Sequence, residues 1–304
     1  MGPRLHLKLL LRALARLSLG ANHALGAFLG RLVFALSPRY RNRVLENLGS
    51  SGLAPGRERL REMARANAAE IGKGATELAW ALFRPLEEVV GTVKSRTGWE
   101  GVEALRARAK PIIFVTPHLG GYDIAGRYLW GELPGAMMAM YRPHKVGWLD
   151  RLIREGRDRG SGPGDTHTAT ATLAGVRKVL KHMRTGGCTI MLPDQVPGVG
   201  DGEWVEFFGR PAYTMTLVGR LQQASDAAVV FYFAERLPGG DGFVVHFNAL
   251  AEPLPLDRAA AALRVNQEVE KLVRLCPTQY LWGYNRYKRP AGAPPPPHAV
   301  ARTV

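Results

Sequence analysis

His118 and Asp123 lie in Pro111-Ile-Ile-Phe-Val-Thr-Pro-His118-Leu-Gly-Gly-Tyr-Asp123, an apolar run followed by a glycine-bearing turn and the start of a helical stretch. An imidazole with one nitrogen fixed by a carboxylate offers the other as a proton acceptor near neutral pH, which is how a general base is built. The H-x4-D spacing lets a turn bring the Asp123 carboxylate back to the His118 ring. A His-x4-Asp pair taken at random is more often structural than catalytic. Here the pair sits at the carboxyl end of a strand, where open α/β sheets bind ligands, and that placement favours chemistry. Gly120 and Gly121 permit the tight turn and a close approach of a bulky substrate to the backbone.

Other positions could serve the same crevice. Asp194 and Gln195 follow a second apolar strand in Leu192-Pro-Asp-Gln195, and either line the crevice or stabilise their own loop. Arg142 and Arg159 are candidates to hold a phosphate, because guanidinium makes paired, charge-assisted contacts with phosphate oxygens; a solvated surface arginine is the competing reading. Covalent catalysis has little support, since no G-x-S-x-G elbow occurs and Cys188 starts an apolar strand, as a buried inert thiol would. The eight histidines are scattered, without H-E-x-x-H or a cysteine pair at ligand spacing, so no metal and no bound cofactor are expected. Gly198-Val-Gly-Asp-Gly202 is not G-x-G-x-x-G and reads as a flexible loop. Trp204, Phe207 and Phe208 either wall an apolar ligand or pack their segment down, and Tyr280 and Trp282 read as core.

The elements that must position these residues show in the hydropathy pattern. Apolar β-type runs at 111–116, 136–141, 188–192, 227–233 and 243–247 alternate with helical stretches at 121–130, 148–159, 172–184 and 213–224, and a last helix covers 256–275. This is the βα alternation of an α/β protein with a mixed, largely parallel sheet covered by helices. A helix over Arg57 to Phe83, ended by Arg84-Pro85, is expected to cap it. Ahead of that, residues 1–38 read as a membrane-associating helix. Arg4, Lys8, Arg12 and Arg16 form a basic stripe, and Leu7, Leu10, Leu11, Leu14, Leu25, Phe28 and Leu32 cover the opposite side. The charge-free stretch Leu17–Gly30 is short for a bilayer crossing, and basic residues spread through the apolar part do not match a cleavable signal. An anchor lying in the interface is therefore expected, against a helix packed on its own core or a tilted span. Residues 39–288 would form the α/β domain and 289–304 a structureless Pro-rich tail.

With 304 residues, 46% hydrophobic and 22% charged, the chain has the makings of a globular core. Its formal net charge of +15 implies polyanionic partners. No nucleic-acid recognition motif accompanies that charge, so anionic lipid or an acidic carrier is the better reading and nucleic acid is not expected. Two distant cysteines argue against a disulfide framework.

The His118 segment resembles the H-x4-acid signature of the lipid A lauroyl and myristoyl acyltransferase family, within the wider lysophospholipid and glycerolipid acyltransferases. Further elements agree in order: Tyr141-Arg142-Pro143, Arg157-Asp-Arg159-Gly160, Pro193-Asp194-Gln195, Phe207-Phe208-Gly209-Arg-Pro-Ala212, and Pro277-Thr-Gln279-Tyr280-Leu-Trp282. The resemblance spans roughly Arg39 to Pro290. It implies a glycerolipid-acyltransferase-like fold and transfer of a fatty acyl group from acyl carrier protein or acyl-CoA to a hydroxyl of a lipid A precursor, with His118 as base and Asp123 orienting it. It also implies work at the cytoplasmic face of a bacterial inner membrane. Both donors are anionic, which suits a basic chain. The chain departs from the family in having Asp123 where Glu is usual, Gly121-Tyr122 in place of Asn-Trp, and His144-Lys145-Val146 after Tyr-Arg-Pro. A lysophospholipid or glycolipid acceptor, or a non-catalytic lipid-binding scaffold, are the alternatives.

Overall fold

The computed structural model describes residues 3–141, 146–148, 150–151, 156 and 168–297. The amino-terminal stretch, read as one helix, is two: α1 (Pro3–Arg16) and α2 (Leu19–Leu36). The break falls at Ser18, whose hydroxyl accepts from the Ala21 amide and so caps α2. Then follow α3 (Pro38–Ser50), α4 (Arg57–Phe83) and α5 (Leu86–Val90). The bounds of α4 are those expected, because Arg84 adopts the extended backbone that a following proline imposes.

The α/β part runs β1 (Val93–Thr97), α6 (Trp99–Ala107), β2 (Ile112–Val115), α7 (Tyr122–Glu132), β3 (Met137–Tyr141), β4 (Thr168–Thr170), α8 (Leu173–Met183) and β5 (Cys188–Met191). It continues with β6 (Gly202–Phe207), β7 (Arg210–Met215), α9 (Leu217–Ser225), β8 (Ala228–Arg236), β9 (Phe243–Ala249) and α10 (Arg258–Leu275). Among the described residues, seven strands form one sheet in the order β1-β9-β8-β2-β5-β3-β4, parallel except where β9 returns antiparallel to β8. The expected mixed, largely parallel α/β sheet is therefore present.

Strand β2 lies at its centre, and all four of its residues are buried. Ile113 and Val115 face one apolar layer, with Phe231, Phe233, Val269 and Leu272, while Ile112 and Phe114 face the other, with Trp80, Tyr128 and Trp99. A strand covered on both faces needs apolar residues at successive positions, which explains its unbroken hydrophobic run.

Three segments differ from the sequence reading. The helix expected from Tyr213 begins at Leu217, because residues 202–215 form a separate two-stranded hairpin whose β7 holds Tyr213. Edge strands β1 and β4 have mixed polar composition and little apolar periodicity to betray them. Residues 289–297, read as a structureless tail, pack instead on the hairpin: Ala293 is buried and the Pro294 carbonyl accepts from the Trp204 indole at 2.9 Å. Most of the helix expected at 148–159 lies outside the described residues.

Helix α2 both packs on the protein and faces outward. Its Asn22, His23, Gly26 and Ala27 are buried against α4, and Phe28, Leu29, Leu32, Val33 and Leu36 are exposed. The helices approach so closely that a methyl group on Gly72 would stand 2.0 Å from the Gly26 carbonyl oxygen. By length and composition α2 could cross a membrane, with 18 residues and a mean hydropathy of 1.3.

Candidate active site

Strands β2 and β5 are parallel neighbours in register, with Val115 opposite Met191. Three residues past each of those partners come His118 and Asp194. Equal extensions from paired strand ends bring the two side chains together at the carboxyl edge of the sheet, although they are 76 positions apart in sequence. The Asp194 Oδ1 lies 2.8 Å from His118 Nδ1, and its Oδ2 accepts from the His118 backbone N–H at 2.9 Å. The carboxylate thus grips both the ring and the backbone of one residue.

Asp194 is only 4% exposed. Burial alone would raise its pKa, but the His118 charge, the two hydrogen bonds from His118 and the nearby Arg286 guanidinium hold it below the ordinary carboxylate value. An ionised Asp194 accepts only, so Nδ1 carries the proton and Nε2 presents its lone pair. The amide nitrogen of Gln195 is 3.1 Å from Nε2, on the side where a lone pair can accept from it. In its neutral form a histidine held in this way, with Nδ1–H on the carboxylate, can take a proton at Nε2.

The sequence reading brought Asp123 to one nitrogen of the ring; in the structure the carboxylate on Nδ1 is that of Asp194. Asp123 lies in the first turn of α7 and lines the same cavity as His118. There the helix dipole favours its negative charge. Gly120 adopts φ +60° and a Cβ on it would stand 2.0 Å from the Ala234 carbonyl oxygen, while one on Gly121 would meet the Phe243 ring at 2.5 Å. These glycines let the turn approach the protein's own sheet, in place of the substrate approach expected of them. Arg142 and Arg159 lie outside the described residues.

The cavity has a volume of about 640 Å³, in the range of pockets that enclose a small ligand. Its wall combines polar side chains, among them Thr116, His118, Asp123 and Gln195, with apolar ones such as Leu82, Trp130, Met140, Val176, Ile190 and Leu192. Tyr122 packs edge-on to the His118 ring, with centroids 5.0 Å apart. Arg127, buried, and Arg220, at an exposed position, also line it. Neither was foreseen, although Arg127 follows Asp123 by four residues and so shares its face of α7.

Phe207 and Phe208 pack with Tyr280 and Trp282 away from this cavity, so the packing reading holds for them. Cys188 is fully buried beside Arg106, and burial raises its thiol pKa, as expected of an inert cysteine. Among the described residues, no group of three His, Cys, Asp or Glu side chains could hold a metal ion.

A histidine held by a buried carboxylate at the carboxyl edge of a largely parallel sheet, beside a cavity lined by both polar and apolar side chains, is the arrangement of an α/β enzyme site. The chain matches the family described as bacterial lipid A biosynthesis acyltransferase over residues 7–289. It is 26% identical over 275 residues to the lipid A biosynthesis lauroyltransferase of Escherichia coli strain K12, covering 90% of this chain and 87% of that protein. Over 237 residues it is 25% identical to the palmitoleoyltransferase of the same organism, covering 77% and 74%. With the myristoyltransferase of that organism it shares 29% over 198 residues, covering 62% and 58%. The chain belongs to the bacterial lipid A biosynthesis acyltransferase family, and it is an acyltransferase of lipopolysaccharide biosynthesis that uses an acyl donor and a lipid acceptor.

Proposed function

We propose that His118, held by Asp194, is the general base for direct transfer of a fatty acyl group from an acyl thioester of acyl carrier protein or coenzyme A to a hydroxyl of a lipid A precursor. The observation that carries this reading is the pair of contacts on the imidazole: carboxylate on Nδ1, amide nitrogen on Nε2. An acceptor hydroxyl replaces the Gln195 amide at Nε2 and gives up its proton there as its oxygen attacks the thioester carbonyl carbon. The carbonyl oxygen becomes an oxyanion within reach of the displaced Gln195 amide. Collapse breaks the carbon–sulfur bond, and the departing thiolate takes the proton from Nε2, leaving His118 neutral. No covalent enzyme intermediate and no cofactor besides the thioester co-substrate enters the sequence.

In this reading Asp123 and Arg127 on α7 meet the polar part of the acceptor or donor, and the fatty chain lies against Trp130, Met140 and Ile190. The exposed apolar stripe of α2 rests on the cytoplasmic face of the inner membrane, where the basic chain meets anionic lipid. The relatives are named for lauroyl, myristoyl and palmitoleoyl transfer, so acyl length is left to measurement.

The test is transfer from labelled acyl carrier protein and acyl-CoA to lipid A precursors, lysophospholipids and glycolipids by wild type and His118→Ala. Loss of about 10²–10⁴-fold in the variant, with a lipid A precursor as best acceptor, is the expected result. A lysophospholipid as best acceptor would overturn the acceptor. Equal rates in the two proteins would overturn the base.

A further inference from the structure

A second concavity, of about 360 Å³, opens where α2 ends; Ser37, Arg39, Tyr40 and Arg43 line it together with residues 283–285. Two guanidiniums face it and no carboxylate does. Among the described residues, neither the Arg39 nor the Arg43 side chain has a hydrogen-bond or ion-pair partner. Arg41, between them, is engaged: it donates to the Phe34 and Ala35 carbonyls at 3.2 and 2.9 Å, closing the end of α2. Lys288, which does not line the hollow, stands over the ring of its wall residue Tyr284, with the ammonium 5.4 Å from the ring centre. Cations gathered around a hollow with no acid among them match a phosphate group, which the guanidinium fork binds through paired hydrogen bonds.

Position decides what carries the phosphate. The exposed stripe of α2 ends at Leu36, 74% exposed, one residue before this cavity begins. Once that stripe enters a leaflet, the residues directly after it lie at the depth of the lipid phosphates. We infer that this cavity is a head-group site for the phosphate of an anionic phospholipid, separate from the cavity that holds His118. The site also reaches the catalytic loop. Tyr284, in its wall, accepts through its hydroxyl from the Val196 backbone N–H at 3.0 Å, next to Gln195. Asn47 on α3 donates to the Trp282 and Tyr284 carbonyls at 2.7 and 2.9 Å, so α3 and the wall move together. A seated head group therefore fixes the enzyme on the leaflet through the segment that braces its active-site turn.

The inference does not depend on the acyl-transfer reading, because it is read by binding. Sedimentation of the full chain with phosphatidylcholine vesicles, with and without phosphatidylglycerol, compares wild type, the Arg39→Gln/Arg43→Gln pair and the Arg39→Lys/Arg43→Lys pair. An equal-charge control is Arg177→Gln/Arg184→Gln on α8, which packs on β3, β4 and β5. The glutamine pair is expected to lose about thirtyfold in affinity for the anionic vesicles only, the lysine pair to recover part of it because it keeps the charge without the paired hydrogen bonds, and the control to lose about threefold or less. Equal losses in the glutamine pair and the control would overturn the site in favour of diffuse surface charge. Binding of inorganic phosphate alone, followed by phosphorus NMR and abolished in the glutamine pair while vesicle binding is unchanged, would overturn the lipid assignment.

Discussion

Gln195 approaches His118 through nitrogen, not oxygen, and in the proposed reaction that polarity gives it two places. Before the acceptor binds, its amide satisfies the Nε2 lone pair at 3.1 Å; once a hydroxyl takes that place, the same amide is free to donate to the oxyanion. The interaction then strengthens only as charge develops, so it acts on the transition state more than on substrate binding. Gln195→Ala should lower kcat about 10²–10³-fold with KM nearly unchanged, as measured by steady-state transfer kinetics. A raised KM at unchanged kcat would instead make Gln195 a substrate-binding side chain alone. The sequence offered Gln195 only as a residue past a strand end, because the pairing of its strand with β2 is not written in local pattern.

At the scale of elements, a buried charge cluster joins the amino-terminal helices to the sheet. Arg236 on β8 donates to Glu77 on α4 at 2.5 and 2.7 Å and to Glu70 at 2.8 Å, and His23 on α2 touches the same Glu77 carboxylate. Gln279 completes the link, accepting from the Arg236 backbone N–H at 2.9 Å while its own carbonyl accepts from Gly120. Burial alone would raise the Glu77 pKa; the charge and hydrogen bonds of Arg236, then those of His23, bring it down from an ordinary 4.5 to about 2. A folded value below the unfolded one means that this carboxylate contributes stability in full above about pH 4.5, lost as pH falls towards 2. Glu77→Gln should destabilise at neutral pH by about 1–3 kcal/mol, because it leaves buried Arg236 with Glu70 as its remaining carboxylate, and should flatten the acid limb of a urea-midpoint against pH curve. An unchanged acid limb would show that other carboxylates carry it.

None of this cluster was foreseen from the sequence, since charges on α4 look like those of any solvated helix until β8 is known to lie beneath them. The central strands, by contrast, were legible, because burial on both faces forces unbroken apolar runs. The edge strands and the hairpin were not, because half-exposed strands of mixed composition lack that constraint. The helix α2 was half legible: part of its outward stripe was visible as Phe28 and Leu32, while its packing on α4 depends on glycines whose partners lie in another helix.

Across the whole molecule the site is assembled from distant parts. Strand β2 brings His118, β5 brings Asp194 and Gln195, α7 brings Asp123 and Arg127, and the closing segment braces the turns of both strands through Gln279 and Tyr284. The H-x4-D pair was legible as a local motif, and both of its residues line the cavity at the carboxyl edge of the sheet. Its reading as a self-contained dyad was incomplete, because register between two parallel strands places a more buried acid on the ring. In the proposed reaction the two carboxylates have separable duties: Asp194 sets the tautomer of the base, and Asp123, at the cavity wall, faces what binds.

The most direct test is the rate of acyl transfer by Asp194→Asn beside wild type, at saturating donor and acceptor. An asparagine can turn its amide towards Nδ1, which then accepts and leaves the proton on Nε2. The account predicts a fall in kcat of about 10³–10⁴-fold with the fold intact by circular dichroism. A variant within about tenfold of wild type would contradict it.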